Sequence, residues 1–310
     1  MASPEIAKET KTVASNKAGY LHLLVVYIVW GSTYLAIRVA VRDGSGFTPF
    51  VMGAMRVLAA SFILLIIGLL TRQRLKLTRS EFYTLLASGI LLWTGGNGLV
   101  MWGEQKADSA VAALILASTP IWVAIIEAIL DRKMPSTLLI GSLLVGTAGI
   151  VVLTMPLILT GLKAELLAIL SIVIAAISWA SGSVLQSRRQ IHLAPAVSSG
   201  YQSLFGGIGF VIIALLLREP LPLPIAQAWL AWGYLVIFGS AIAFTSFVQV
   251  LRLLPTKIVV TYSYVNPIIA VILGWMILRE PITAWTIGGA ALVLLGVAGV
   301  FRAHSRPISH

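Results

Sequence analysis

Apolar positions along this chain neither alternate with a period of two nor mark one face at a helical period. They gather into ten long, nearly uncharged runs, at about 20–41, 48–71, 81–103, 108–130, 136–156, 164–187, 193–217, 227–251, 256–278 and 282–301. A run of about 20 apolar residues can cross a bilayer as a helix. Hydrocarbon offers backbone groups no water, so each run must be helical; a barrel would need short strands of alternating polarity. The pattern predicts an all-α integral membrane protein with ten transmembrane helices. Short polar links separate the runs, among them RDGSGFTP (42–49), DRKMPS (131–136), REPLPLP (218–224) and REPIT (279–283).

Composition strengthens this reading. Of 310 residues, 58% are hydrophobic and 11% charged, where a soluble domain carries roughly 25% charged residues. Most of the outer surface must face lipid. There are no cysteines, which excludes disulfides, thiolate metal sites and a cysteine nucleophile. The net charge of +11 would suggest nucleic acid in a soluble protein, but here the charges sit in the links. Fifteen Lys and Arg fall on the N-terminal side of the bundle, five on the other, and Arg38 and Arg56 lie within runs. Such a bias places both termini in the cytoplasm, and no nucleic-acid partner is expected. The opening MASPEIAKETKTVASNK has no apolar core and no cleavage site, so it reads as a disordered tail rather than a secretory signal.

The chain also repeats itself. Shifted by 147 residues, Pro120 meets Pro267, Ile121 meets Ile268, Arg132 meets Arg279, and Gly141 and Gly149 meet Gly288 and Gly296. With small changes of offset, Trp30 matches Trp179 and Arg56 falls opposite Gln202. Residues 20–156 and 157–302 therefore read as two five-helix units, flanked by tails at 1–19 and 303–310. Five is odd, so the second unit enters from the opposite side and the repeats are inverted. Inverted repeats suit carriers, because exchanging the conformations of the two halves turns an inward-open state into an outward-open one.

YIVWGSTYLAIR (27–38), Arg56 in the second run, and the paired phrases STPIWVAIIEAILDRKMP (118–135) and VNPIIAVILGWMILREP (265–281) resemble the EamA-type family of the drug/metabolite transporter superfamily. The resemblance covers about residues 20–302 and is fullest over 240–300. It implies a bacterial inner-membrane carrier that exports amino acids, other small metabolites or toxic compounds, most like the aromatic amino acid and drug exporters. One departure is visible: the acidic residue that closes the motif is Glu280 in the second copy but Lys133 in the first.

A carrier of this kind binds its substrate near the bilayer midplane, between the repeats. Polar and aromatic residues deep in the runs are the candidates for that cavity. They are Trp30, Ser32 and Thr33 in the first run, Arg56 in the second, and Trp93 and Asn97 in the third. Trp179 and Ser183 follow in the sixth, Tyr201 and Gln202 in the seventh, and Tyr262, Tyr264 and Asn266 in the ninth. Aromatic walls would suit an apolar or aromatic small-molecule substrate. Arg56 must have a partner or water at that depth; it either binds a substrate carboxylate or clamps helix-end carbonyls. Pro120 and Pro267 would free the carbonyls of Leu116 and Ser263. In two inverted copies they act either as paired hinges or as fixed kinks. The glycines of the fifth and tenth runs (Gly141, Gly146, Gly149, Gly288, Gly289, Gly296 and Gly299) suggest a close-packed helix pair or a homodimer face.

No Asp or Glu lies near the middle of a run; Glu127 sits toward the cytoplasmic end of the fourth. Proton coupling through a midplane carboxylate is therefore not expected. HExxH, GxSxG and Walker A patterns are missing, and the four histidines lie near run ends or in the tail. No enzymatic activity, metal or cofactor is expected.

Overall fold

The computed structural model of the chain describes residues 4–132, 136–160, 163–254, 256–259 and 261–305. Lys133 lies outside the described residues, as does the side chain of Tyr264. All regular structure among the described residues is helical. In chain order the helices are α1 (Pro4–Val41), α2 (Pro49–Leu70), α3 (Arg79–Gly103), α4 (Ser109–Leu130) and α5 (Thr137–Thr160). Then come α6 (Lys163–Ser187), α7 (Pro195–Leu216) and α8 (Ala226–Leu253). α9 consists of Thr256–Val259 and Tyr262–Leu273 with a π-helical end, Gly274–Leu278, and α10 is Ala284–Ser305. Seven of the ten contain a membrane-length apolar stretch; the apolar parts of α5, α9 and α10 are shorter. The polar N-terminal stretch, expected to be disordered, is helical from Pro4. Proline suits the first position of a helix, where its missing N–H costs nothing.

Large apolar side chains such as Phe62, Leu70, Leu144, Leu216 and Leu295 point outward, while Arg56, Ser88, Gln202, Ser203 and Ser240 are buried. This distribution fits lipid as the solvent. The most extensive helix pairs are α2 with α7 and α5 with α10. α1 crosses onto α8 and α9 of the second half, and α6 crosses onto α3 and α4 of the first. Exchanging each helix for the one five later maps these pairings onto themselves, which is a two-fold pseudo-symmetry. The backbone repeats it. Arg72, Arg132, Arg218 and Arg279, just past α2, α4, α7 and α9, all have left-handed φ, at 54, 50, 52 and 59°. That conformation is disfavoured for any residue with a Cβ.

Close backbone approach holds α5 to α10. A Cβ on Gly296 would stand 2.6 Å from Gly146 Cα, and one on Gly149 would stand 2.6 Å from Val293 N. Gly141 and Gly288 take no such part; their surroundings leave room for a Cβ.

The termini leave the bundle at what we term the near end. The opposite, far end is tied by the two Arg-Glu-Pro links. Glu219 accepts from Phe50 N at 3.3 Å and Val51 N at 2.8 Å, at the start of α2. Glu280 accepts from Ser109 N at 3.0 Å, from Ala110 N at 3.2 Å, and from Ser109 Oγ, at the start of α4. Helix N-termini expose unpaired N–H groups and a positive dipole end, so a carboxylate satisfies both. Nearby, Leu223 N donates to Gly46 O at 3.0 Å. Gly46 has φ +86°, and a Cβ there would stand 2.0 Å from Leu223 O, so only glycine fits.

Candidate functional site

α3 and α8 correspond under the pseudo-symmetry, and both turn π-helical in mid-span, at Ile90–Asn97 and Leu235–Ala243. Such segments widen a helix by one residue per turn and re-aim side chains. Arg56 of α2 bridges them. Its Nε donates to Ser240 Oγ at 2.8 Å and its Nη1 to Asn97 Oδ1 at 3.4 Å. The guanidinium also lies over the Trp93 ring, 5.4 Å from the centroid. At 2% exposure these contacts provide the compensation that a buried cation requires.

Beside it lies a central cavity of about 70 Å³, room for about five waters at roughly 10–15 Å³ each. Of the sequence candidates, Trp30, Thr33, Arg56, Trp93, Asn97, Trp179 and Tyr262 line it, together with Tyr34, Ile37, Gly96, Val100, Leu116 and Thr119. Trp30 stands edge to face against both Trp179 and Tyr262, with centroids 5.5 Å apart in each case. Its Nε1 donates to Gly239 O in the α8 π segment at 3.3 Å. Trp30 and Trp179 are repeat mates, so their contact puts the cavity on the pseudo-two-fold axis.

The other candidates are elsewhere. Ser32 bonds Val29 O and the Tyr234 hydroxyl. Ser183 bonds Trp179 O and lines a second cavity of about 40 Å³ with Pro120, Glu127 and Ser263. Tyr201 donates to Leu75 O at 2.8 Å, toward the near end. Gln202, the counterpart of Arg56, is fully buried and donates to Ser88 Oγ and Gln186 Oε1. Its amide nitrogen is held by α3 and α6 and its Oε1 has no partner among the described residues, whereas the longer guanidinium of Arg56 reaches the cavity. Asn266 is buried with Oδ1 unpartnered among the described residues, away from the cavity wall. Sequence reasoning missed Ser240, a small residue in an apolar run that nothing but the fold joins to Arg56.

The prolines differ locally. α4 is two helices, Ser109–Leu116 and Thr119–Leu130, so Pro120 stands in the first turn of the second. Thr119 Oγ1 takes the Leu116 carbonyl at 2.6 Å. Pro267 instead lies inside Tyr262–Leu273.

Thr119 and Tyr262 line both the central and the second cavity; Ser187 and Leu251 line both the second and a third of about 290 Å³ beside Arg189, His192 and Arg252. The three cavities thus run from the axis to the near end. At the far end, Ile37 and Val100 close the central cavity, with the buried Glu104 and Glu280 beyond. Among the described residues no cluster of His, Asp and Glu could hold a metal.

The model of the EamA-like transporter family matches residues 17–155 and again 166–302. An Escherichia coli (strain K12) protein named an uncharacterized inner membrane transporter, YedA, is 33% identical over 254 residues, covering 81% of this chain and 80% of that protein. A Bacillus subtilis (strain 168) protein named an uncharacterized transporter, YoaV, is 23% identical over 281 residues, covering 89% and 94%. A chain solved by crystallography shares the fold with a TM-score of 0.62 at 20% identity, over 91% of this chain and 96% of its own.

Proposed function

The chain belongs to the EamA-like transporter family and is a multi-pass inner-membrane transporter; from that premise we propose that it exports small metabolites, apolar or aromatic amino acids and toxic compounds among them. It does so by alternating access of two inverted repeats around the central cavity. The observation that carries this reading is the cavity itself: three tryptophans and two tyrosines around one guanidinium, on the axis that relates the halves.

Each part has a role in this proposal. Arg56, held by both π segments, seats a carboxylate. Trp30, Trp179 and Tyr262 stack on an apolar side chain. The one-sided arrangement of cavities corresponds to a near-end-accessible state. With both termini cytoplasmic, as the Lys and Arg bias implies, the substrate enters from the cytoplasm. A cavity of about 70 Å³ is smaller than an aromatic amino acid, so binding must move helices apart.

The test is counterflow into liposomes holding the purified protein, with radiolabelled phenylalanine, leucine and phenethylamine. Phenylalanine and leucine should exchange, and phenethylamine, which lacks the carboxylate, should not. Exchange of phenethylamine alone, or of none of the three, overturns the proposed substrate class.

A further inference from the structure

Glu104 is the first residue past α3 and is 0% exposed. Neither carboxyl oxygen has a hydrogen-bond partner among the described residues. Its nearest cation does not repair this, because Arg38 Nη1 donates to the Glu104 backbone carbonyl, at 2.5 Å, rather than to the carboxyl. A carboxyl left so, in an apolar setting, favours its neutral form.

The groups that face it agree. α9 brings Glu280, α1 brings Arg38 and Tyr34, and α2 brings Arg56. Asp108 follows in the same link and feels Glu280 and Arg38. On α6, the atoms nearest Gly103 belong to Ala168, Ser171 and Ile172, none of them charged. Lys106 is turned to solvent, paired with Asp43 at 2.6 Å. Three carboxyls, Glu104, Asp108 and Glu280, thus share two guanidiniums. Glu280 accepts from three donors at the start of α4: Ser109 N, Ser109 Oγ and Ala110 N. The Glu104 carboxyl accepts from none of the described residues. Burial first, and then the Glu280 charge, push the Glu104 carboxyl well above the ordinary carboxylate range, while Arg38 and Arg56 pull it back.

We propose that Glu104 is a proton-binding site of the carrier, loaded while Glu280 holds the start of α4 and emptied to the far-end solution when Glu280 lets go. When α4 and α9 part, water reaches Glu104. The carboxyl O–H bond then breaks, the proton passes to that water, and the carboxylate that remains faces Arg38. The site lies at the end of α3, away from the midplane where a coupling carboxylate was sought in the sequence. It rests on the alternating-access reading for its release step, but its loading does not need a substrate.

The experiment is therefore made without one. The full chain in liposomes is titrated from acid to alkaline pH and followed by infrared difference spectroscopy of the carboxylic C=O stretch. A protonated-carboxyl band should persist at neutral pH in the wild type, vanish in Glu104→Gln, and remain, shifted, in Glu104→Asp. Glu127→Gln should leave it in place. Glu280→Gln removes a like charge and loosens the far end, so the band should titrate at lower pH. A neutral-pH band untouched by Glu104→Gln, or a midpoint that Glu280→Gln leaves fixed or raises, overturns the proposal. If Glu104→Gln does not fold, loss of the neutral-pH band in Glu104→Asp does so instead. Failure of every counterflow assay would count against the proposed substrate class and leave this result standing.

Discussion

Trp30 and Trp179, matched positions of the two repeats, meet edge to face with centroids 5.5 Å apart and planes at 85°. Residues related by a two-fold axis touch only where that axis passes between them. The contact therefore locates the axis at the cavity wall, where a substrate would be shared by both halves. Replacing either ring with leucine should weaken binding by similar amounts. The double variant should fall short of the sum by about 0.5–1.5 kcal/mol, the usual coupling of an aromatic pair. Quenching of tryptophan emission by phenylalanine would measure this, and strict additivity would show that the rings act separately.

Arg56 depends unequally on its two partners. The Ser240 bond is 2.8 Å and the Asn97 bond 3.4 Å. A hydrogen bond to a charged group contributes about 1.5–3 kcal/mol, so Ser240→Ala should lower thermal stability and counterflow more than Asn97→Ala. Arg56→Lys should lose more transport than either, because an ammonium cannot hold two partners and a carboxylate in one plane. Melting curves and initial exchange rates, compared across the three variants, decide the order.

The two prolines should respond differently. Pro120→Ala changes a first-turn position whose freed carbonyl already has Thr119 as donor, so turnover should change less than about twofold, within the ±0.5 kcal/mol of a mild substitution. Pro267→Ala restores a hydrogen bond inside a helix and should slow turnover severalfold while insertion stays normal. Equal effects would return both residues to the role of fixed kinks.

The glycines divide in the same way. Gly296→Leu forces a side chain into the Gly146 backbone and should destabilise by about 1–3 kcal/mol, the usual effect of overpacking. Gly141→Ala and Gly288→Ala meet open space or a contact at 3.8 Å, so stability should hold or improve. If those two mark a homodimer face, crosslinking yield will fall in both; unchanged yield removes that role.

Long apolar runs made the helices legible, because a membrane leaves the backbone no alternative. Apart from the start of α1, which is helical from Pro4, the boundaries followed from charge and proline to within a few residues. Aromatic depth was a good guide to the cavity, finding Trp30, Trp93, Trp179 and Tyr262. Polar residues were a poorer guide. Ser32, Gln202 and Tyr201 spend their hydrogen bonds on neighbouring helices and links, and no periodicity distinguishes that from lining a void. Glu104 was overlooked because a carboxylate at the end of a span is ordinarily in water. In the fold it is buried, with Arg38, Arg56 and Glu280 as its charged surroundings.

The Arg-Glu-Pro links carry a consequence for populations. Glu219 and Glu280 fasten only the far end; the repeat-matched positions are Gln73 and Lys133, and a lysine cannot accept from a helix N-terminus. Helix caps contribute about 1 kcal/mol each, so under the proposed alternating access these two carboxylates favour the conformer with a closed far end by about 2 kcal/mol, or roughly thirtyfold in occupancy. On that proposal the carrier waits with its far door shut, and transport would begin from whichever compartment holds the termini.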